Sequence, residues 1–167
     1  MDKPATIILN QTQINHRIRR IAYQIYESNV NESEIVLAGI LKNGYELAQR
    51  LKVELHKISQ LQVTLCEVRI NKKKPLDPIQ TSIPSEDYQG KSLVLVDDVL
   101  HSGTTLIYGV RHFLGVPLKQ IKTAVLVNRS HKKYPVKADF KGISLSTSLN
   151  ERIKVRFSEA GDSAMLV

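Results

Sequence analysis

A chain of 167 residues, 42% hydrophobic and 24% charged, is long enough to bury its own core and falls in the range of one globular domain. The single cysteine excludes an internal disulfide framework, and no apolar run approaches the ~20 residues that span a bilayer. With no signal-peptide core in Met1-Asp-Lys-Pro-Ala, a cytoplasmic protein without membrane partners is expected. The net charge of +8 favours anionic ligands, small or polymeric.

Ile14, Ile18, Ile21, Ala22 and Ile25 recur at helical spacing, which predicts an amphipathic helix over 11–28. Glu34 to Ile40 reads as a strand. The turn Leu41-Lys42-Asn43-Gly44 then leads into a helix over 44–58, with Leu47, Leu51, Leu55 and Ile58 inward. Gln62 to Ile70 alternates as a strand and carries Cys66, read as a core thiol. Residues 71–90 are polar, contain Pro75, Pro78 and Pro84, and predict a long loop of the kind that serves as a functional lid.

Ser92-Leu-Val-Leu-Val96 is a continuous apolar run, the pattern of a strand buried on both faces. Asp97 and Asp98 close it, and the hydroxyl-rich turn His101-Ser-Gly-Thr-Thr105 precedes a helix over 104–115, which Val116-Pro117 ends. A strand over 121–127 follows, then short strands and turns from Pro135 onward. Alternating strands and helices without an internal repeat or linker predict a single α/β domain with a mostly parallel central sheet and helices on both faces.

In such sheets ligands sit beyond the carboxyl ends of the strands. The turn 101–105 lies there, where unpaired N–H groups of a helix start can hold a phosphate. Gly103 permits an unusual backbone path, and the hydroxyls of Ser102, Thr104 and Thr105 can cap the helix. Asp97 and Asp98 would repel a phosphate, so they suit sugar hydroxyls or Mg²⁺. A polar loop with an N-cap is the plainer reading of the same letters. No G-x-x-x-x-G-K-[ST] or G-x-G-x-x-G stretch is present. Basic residues cluster at Arg17, Arg19 and Arg20, at Lys72 to Lys74, and at Lys132 and Lys133. These are solvated faces or an RNA surface, and 5% aromatic content gives little support for base stacking.

Val94-Leu-Val-Asp-Asp-Val-Leu-His-Ser-Gly-Thr-Thr105 resembles the motif with which type I phosphoribosyltransferases bind 5-phosphoribosyl 1-pyrophosphate (PRPP). From about Ile8 to Glu159 the chain is most similar to the pyrimidine-operon attenuator/uracil phosphoribosyltransferase family. Ala124-Val-Leu-Val-Asn-Arg-Ser-His131, Pro135-Val-Lys-Ala-Asp-Phe-Lys-Gly142 and the opening helix carry that likeness. Gly39-Ile-Leu-Lys-Asn-Gly-Tyr45 is similar to the hypoxanthine-guanine enzymes.

The resemblance implies that fold, with a small C-terminal hood and a flexible lid at about 71–90. It implies Mg²⁺-dependent transfer of phosphoribosyl to uracil or a 6-oxopurine. Asp97 and Asp98 would bind the ribose, Ser102 to Thr105 the 5′-phosphate, and Leu41, Lys42, Asn43 and Gly44 the pyrophosphate. Lys137, Phe140 and Ile153 would meet the base. His101 stands where the purine enzymes have an aspartate and is a candidate proton acceptor. The metal ligands are not assigned. The resemblance also implies a homodimer, a nucleoside monophosphate as ligand, and messenger RNA as a partner. The alternative reading is a nucleotide-sensing, RNA-binding regulator with little activity. Two departures favour that alternative: Leu-Lys-Asn-Gly replaces the family's Lys-Thr-Arg-Gly, and Asn71-Lys-Lys-Lys-Pro-Leu-Asp-Pro78 replaces its Tyr-Arg-Asp-Asp lid stretch.

Overall fold

A computed structural model describes residues 4–129, 131–148 and 150–167. β1 (Thr6–Leu9) leads into α1 (Gln11–Ser28), whose start is fixed by a reciprocal cap. The Asn10 side chain accepts from Gln13 N, and the Gln13 side chain accepts from Asn10 N, both at 2.9 Å. β2 (Glu34–Ile40), α2 (Asn43–Ile58), β3 (Gln62–Arg69) and the two-residue β4 (Gln80–Thr81) follow. Next come β5 (Ser92–Leu100), α3 (Thr104–Phe113), β6 (Gln120–Arg129), β7 (Phe140–Leu145), β8 (Ile153–Arg156) and β9 (Ser163–Leu166).

Six strands form one sheet in the order β4-β3-β2-β5-β6-β7, all parallel except β4. The apolar run in β5 is buried on both faces, and its alternation is hidden in the sequence for that reason. Val94 and Val96 pack with α1 and α2 residues such as Ile18, Ile21, Leu47 and Leu51. Leu93 and Leu95 pack on the other face with Leu106 and Phe113 of α3. At the amino end of the sheet, buried Asn29 and Ser92 satisfy each other, Ser92 Oγ donating to Asn29 Oδ1 at 2.6 Å.

Three boundaries differ from the sequence reading. β5 runs through both acids to Leu100, because Val99 and Leu100 find partners in Val127 and Asn128 of a longer β6. α3 stops at Phe113, short of 115. The segment 71–90 is not loop throughout: β4 pairs with β3, and a 3₁₀ turn spans Ser85–Asp87. Tyr88 is buried edge-on against Phe113 at 5.0 Å. The apolar residues Ile79, Ile83 and Tyr88 anchor the second half of the segment to the core, while the first half, 71–78, carries the Lys72 that reaches the cleft beyond β5.

The hood is a second, antiparallel sheet in the order β1-β9-β8. Two of its strands are C-terminal as expected, while the third is the N-terminal β1. Four residues carry too little pattern to announce a strand, and β1 exists because β9 offers it partners.

Candidate active site

The chain goes from β2 outward to β3, then returns to place β5 on the other side of β2. At this reversal the loops after β2 and β5 diverge and leave a crevice, the usual ligand position in an open α/β sheet. The loop after β2 is Leu41-Lys42 with the start of α2, and the loop after β5 is the turn 101–103. A cleft of about 180 Å³ is walled by Lys72, Asp97, Asp98 and residues 99–106.

The two acids differ in setting. Asp97 is buried, 3% exposed, and its Oδ1 accepts from Asp98 N at 2.9 Å. Burial, and then the neighbouring Asp98 charge, push its carboxyl well above the usual carboxylate range, and Lys72 opposes them. Asp98 is partly exposed; its Oδ1 accepts from Val99 N at 2.9 Å and its Oδ2 from Asn43 Nδ2 at 3.0 Å.

The turn beyond them is built for close approach. Gly103 has φ +87°, the left-handed region that favours glycine, and opens α3. Ser102 Oγ and Thr104 Oγ1 share a hydrogen at 2.8 Å, and Thr104 N donates to Ser102 Oγ at 3.3 Å. Ser102 O accepts from Lys133 N at 2.7 Å and Tyr134 N at 3.2 Å, so the stretch after β6 braces the turn. At the other loop, Leu41 N donates to Val68 O at 2.9 Å. Gly44 lies against β5: a Cβ there would sit 2.6 Å from Val96 O and 3.0 Å from Asp97 Cα. The start of α2 is thus seated on the backbone that carries the acids.

His101 is half-buried in the cleft wall. Burial, and then Arg129, lower its pKa; Asp98 acts the other way, and Lys72 and Arg152 add to the lowering. Both leading causes favour the neutral imidazole over the charged one.

Asp97, Asp98, His101 and Ser102 to Thr105 thus share one cleft, with Asn43 and Gly44 against its acids. The three residues expected at the base do not line it. Lys137 is exposed and pairs with Asp139 at 3.8 Å. Phe140 and Ile153 are 8% and 5% exposed and lie in the core beneath α1 and α2.

Two residues were not singled out from the sequence. Lys72 enters the cleft, but one lysine among Lys72 to Lys74 has no distinguishing mark. Arg129 is buried at the end of β6, where its Nε donates to Thr147 Oγ1 at 2.6 Å and its Nη2 to Ser148 O at 2.9 Å. It holds the β7–β8 loop, a partner 18 residues away that spacing does not reveal. In the first basic cluster, Arg17 donates to Gly142 O at 3.4 Å and Arg20 to Lys141 O at 2.9 Å and to Gly142 O. These two arginines direct donors at β7. Among the described residues no helix is long and apolar enough to cross a membrane. None of these residues form a cluster of three or more metal-ligating His, Cys, Asp or Glu.

Comparison with known proteins agrees with this geometry. The family model of the phosphoribosyl transferase domain matches residues 4–159. A Clostridium kluyveri relative described as "Bifunctional protein PyrR" is 33% identical over 166 residues, covering 94% of this chain and 93% of its own. One of the same description from Streptococcus thermophilus is 35% identical over 158 residues, covering 91% and 90%. Among solved structures, a hypoxanthine phosphoribosyltransferase from Staphylococcus aureus superposes with a TM-score of 0.73 at 15% identity, covering 89% of this chain and 80% of that one. A hypoxanthine-guanine phosphoribosyltransferase from Bacillus anthracis gives 0.69 at 20% identity, covering 83% and 81%. The chain belongs to the type I phosphoribosyltransferases, within the pyrimidine-operon attenuator/uracil phosphoribosyltransferase family.

Proposed function

We propose that this phosphoribosyltransferase moves the 5-phosphoribosyl group of PRPP to N1 of uracil. The observation that carries the reading is the junction of three parts at the carboxyl end of the central strands β2 and β5: the acid pair, the hydroxyl turn that opens α3, and the start of α2 seated on β5. In the reaction the bond from ribose C1′ to the pyrophosphate oxygen breaks, and its electron pair leaves with pyrophosphate. The base nitrogen bonds to C1′ and gives up its proton. Asp97 and Asp98 accept hydrogen bonds from the ribose hydroxyls and offset the positive charge that grows on the sugar. The backbone and hydroxyls of Ser102 to Thr105 hold the 5′-phosphate, and Leu41 to Gly44 hold the pyrophosphate. Lys72 of the lid adds a positive charge beside the acids. Lys137, the exposed cation ahead of β7, meets the keto oxygen of the base.

An adjacent carboxylate pair, with no third His, Cys, Asp or Glu grouped with it among the described residues, fits Mg²⁺ held by one or two acids and by substrate phosphates. When bound, the ion neutralises charge on the departing pyrophosphate. A dimer, a cytoplasmic setting and a second, RNA-binding role belong to the same reading. The relatives' description as bifunctional and the net charge of +8 support that second role.

The test is a panel of bases with PRPP and Mg²⁺, read as pyrophosphate release. Uracil is expected to react, and preference for a 6-oxopurine would correct the acceptor. No pyrophosphate release with any base in the panel would remove the enzymatic reading in favour of the regulator.

The same assay measures His101. Its lowered pKa places the acid limb of kcat/KM below the ordinary histidine value of about 6.5. If His101 takes the proton, rate falls as pH drops through that limb, and His101→Gln flattens it while lowering the plateau roughly tenfold or more. A limb that persists unchanged in active His101→Gln assigns proton removal elsewhere.

A further inference from the structure

The Asn43 side chain lies where three parts of the molecule meet: the first residue of α2, the second acid of β5, and β8 of the hood. Its Nδ2 donates to Asp98 Oδ2 at 3.0 Å and to Val155 O at 2.9 Å. Both partners are acceptors only, so the amide orientation is fixed by chemistry: the reverse flip would face oxygen to oxygen twice. With Val99 N on Oδ1, each Asp98 oxygen has one protein donor, and the carboxylate plane is held from both sides. Two turns further along α2, Arg50 donates to both oxygens of Asp162 in the hood and lies over the Phe157 ring at 4.5 Å. Arg50 thus joins α2 to the hood without touching either ribose acid.

We propose that Asn43 is a positioning residue: its amide aims the Asp98 carboxylate at the ribose of PRPP and ties that acid to the hood. The inference rests on the PRPP site proposed above. It gives the side chain at the pyrophosphate loop a task separate from that loop's backbone.

Asn43→Ala, the isosteric Asn43→Asp and Arg50→Met separate these roles, with melting curves to establish the fold first. Titration calorimetry with PRPP and Mg²⁺ is expected to show about tenfold weaker binding for Asn43→Ala, the size of one charge-assisted hydrogen bond. Asn43→Asp, which turns a carboxylate toward Asp98, is expected to bind more weakly still. It also serves as the probe if the alanine variant does not fold. KM for PRPP should rise in parallel while kcat moves less than about threefold. Arg50→Met should melt earlier yet bind PRPP within about twofold of the parent. Unaltered PRPP affinity in Asn43→Asp, or an equal loss in Arg50→Met, overturns the proposal, the latter by reducing it to general loosening of the hood. Absence of PRPP binding by the unaltered protein would instead remove the proposed function itself.

Discussion

Asp97→Asn is expected to yield a more stable protein and a poorer catalyst. Asp97 is buried beside a second carboxylate, so ionising it in the folded state is costly. In the unfolded chain it ionises near pH 3.9. Its folded pKa is raised, so folding takes up a proton between the two values, and stability falls as pH rises through that window. Asparagine keeps the size and the oxygen that accepts Asp98 N, and it does not titrate. The variant should therefore melt higher at pH 7 by roughly 2–10 °C, for a relief of ~1–3 kcal/mol. That gap should close toward pH 4. The catalytic cost arises later, when positive charge appears on the ribose and an anion at this position becomes favourable. A neutral amide cannot follow, and kcat/KM should fall about a hundredfold, ~2.7 kcal/mol of transition-state stabilisation. Melting curves from pH 4 to 9 and steady-state rates on the same samples check both halves. A variant that melts lower at every pH would show that Asp97 is not strained by its burial.

Gly44→Ala is expected to damage both stability and the site. The added methyl would meet Val96 O at 2.6 Å and Asp97 Cα at 3.0 Å. Both are backbone atoms of a central strand paired on two sides, so neither can swing away as a side-chain tip would. Relief requires α2 to lift from β5, which breaks the Asn43–Asp98 bond and opens the packing of Leu47 and Leu51. The cost is about 3 kcal/mol or more, roughly 6–12 °C in Tm, with PRPP affinity lost alongside. Wild-type melting with wild-type affinity would mean that the helix start has room the close approach denies. Gly103 offers the contrast: a Cβ there would meet a side-chain atom, Val136 Cγ1 at 2.6 Å, and the positive φ adds a backbone cost that Gly44 does not carry.

Much of this fold was legible because its signals are local. Helical spacing in 14–25 and the apolar run 92–96 each set one element and its buried face. The phosphate turn was legible for the same reason, since acids, hydroxyls and glycine lie within nine residues of chain. What depends on distant partners was not. β5 continues past its acids only because β6 is long enough to pair with it. Tyr88 sits in a polar stretch and is buried only because Phe113 waits for it. Phe140 and Ile153 carry the same letters whether they face a base or the core, and the register of β7 with β6 decides for Phe140. The use of Asn43 depends on residues 55 and 112 positions away.

The hood's strand order bears on synthesis. β1 forms its ladder with β9 alone, so residues 6–9 leave the ribosome long before 163–166 exist to receive them. The parallel sheet can assemble from β2 through β7 in the meantime, each new strand adding to a growing edge. During that interval the nascent chain carries an unpaired β1 with Ile7 and Ile8 uncovered. Completion of β9 joins the two ends of the fold in one step, and with them the β8 carbonyl that Asn43 needs. The donor site therefore matures last, after the scaffold around it has already formed.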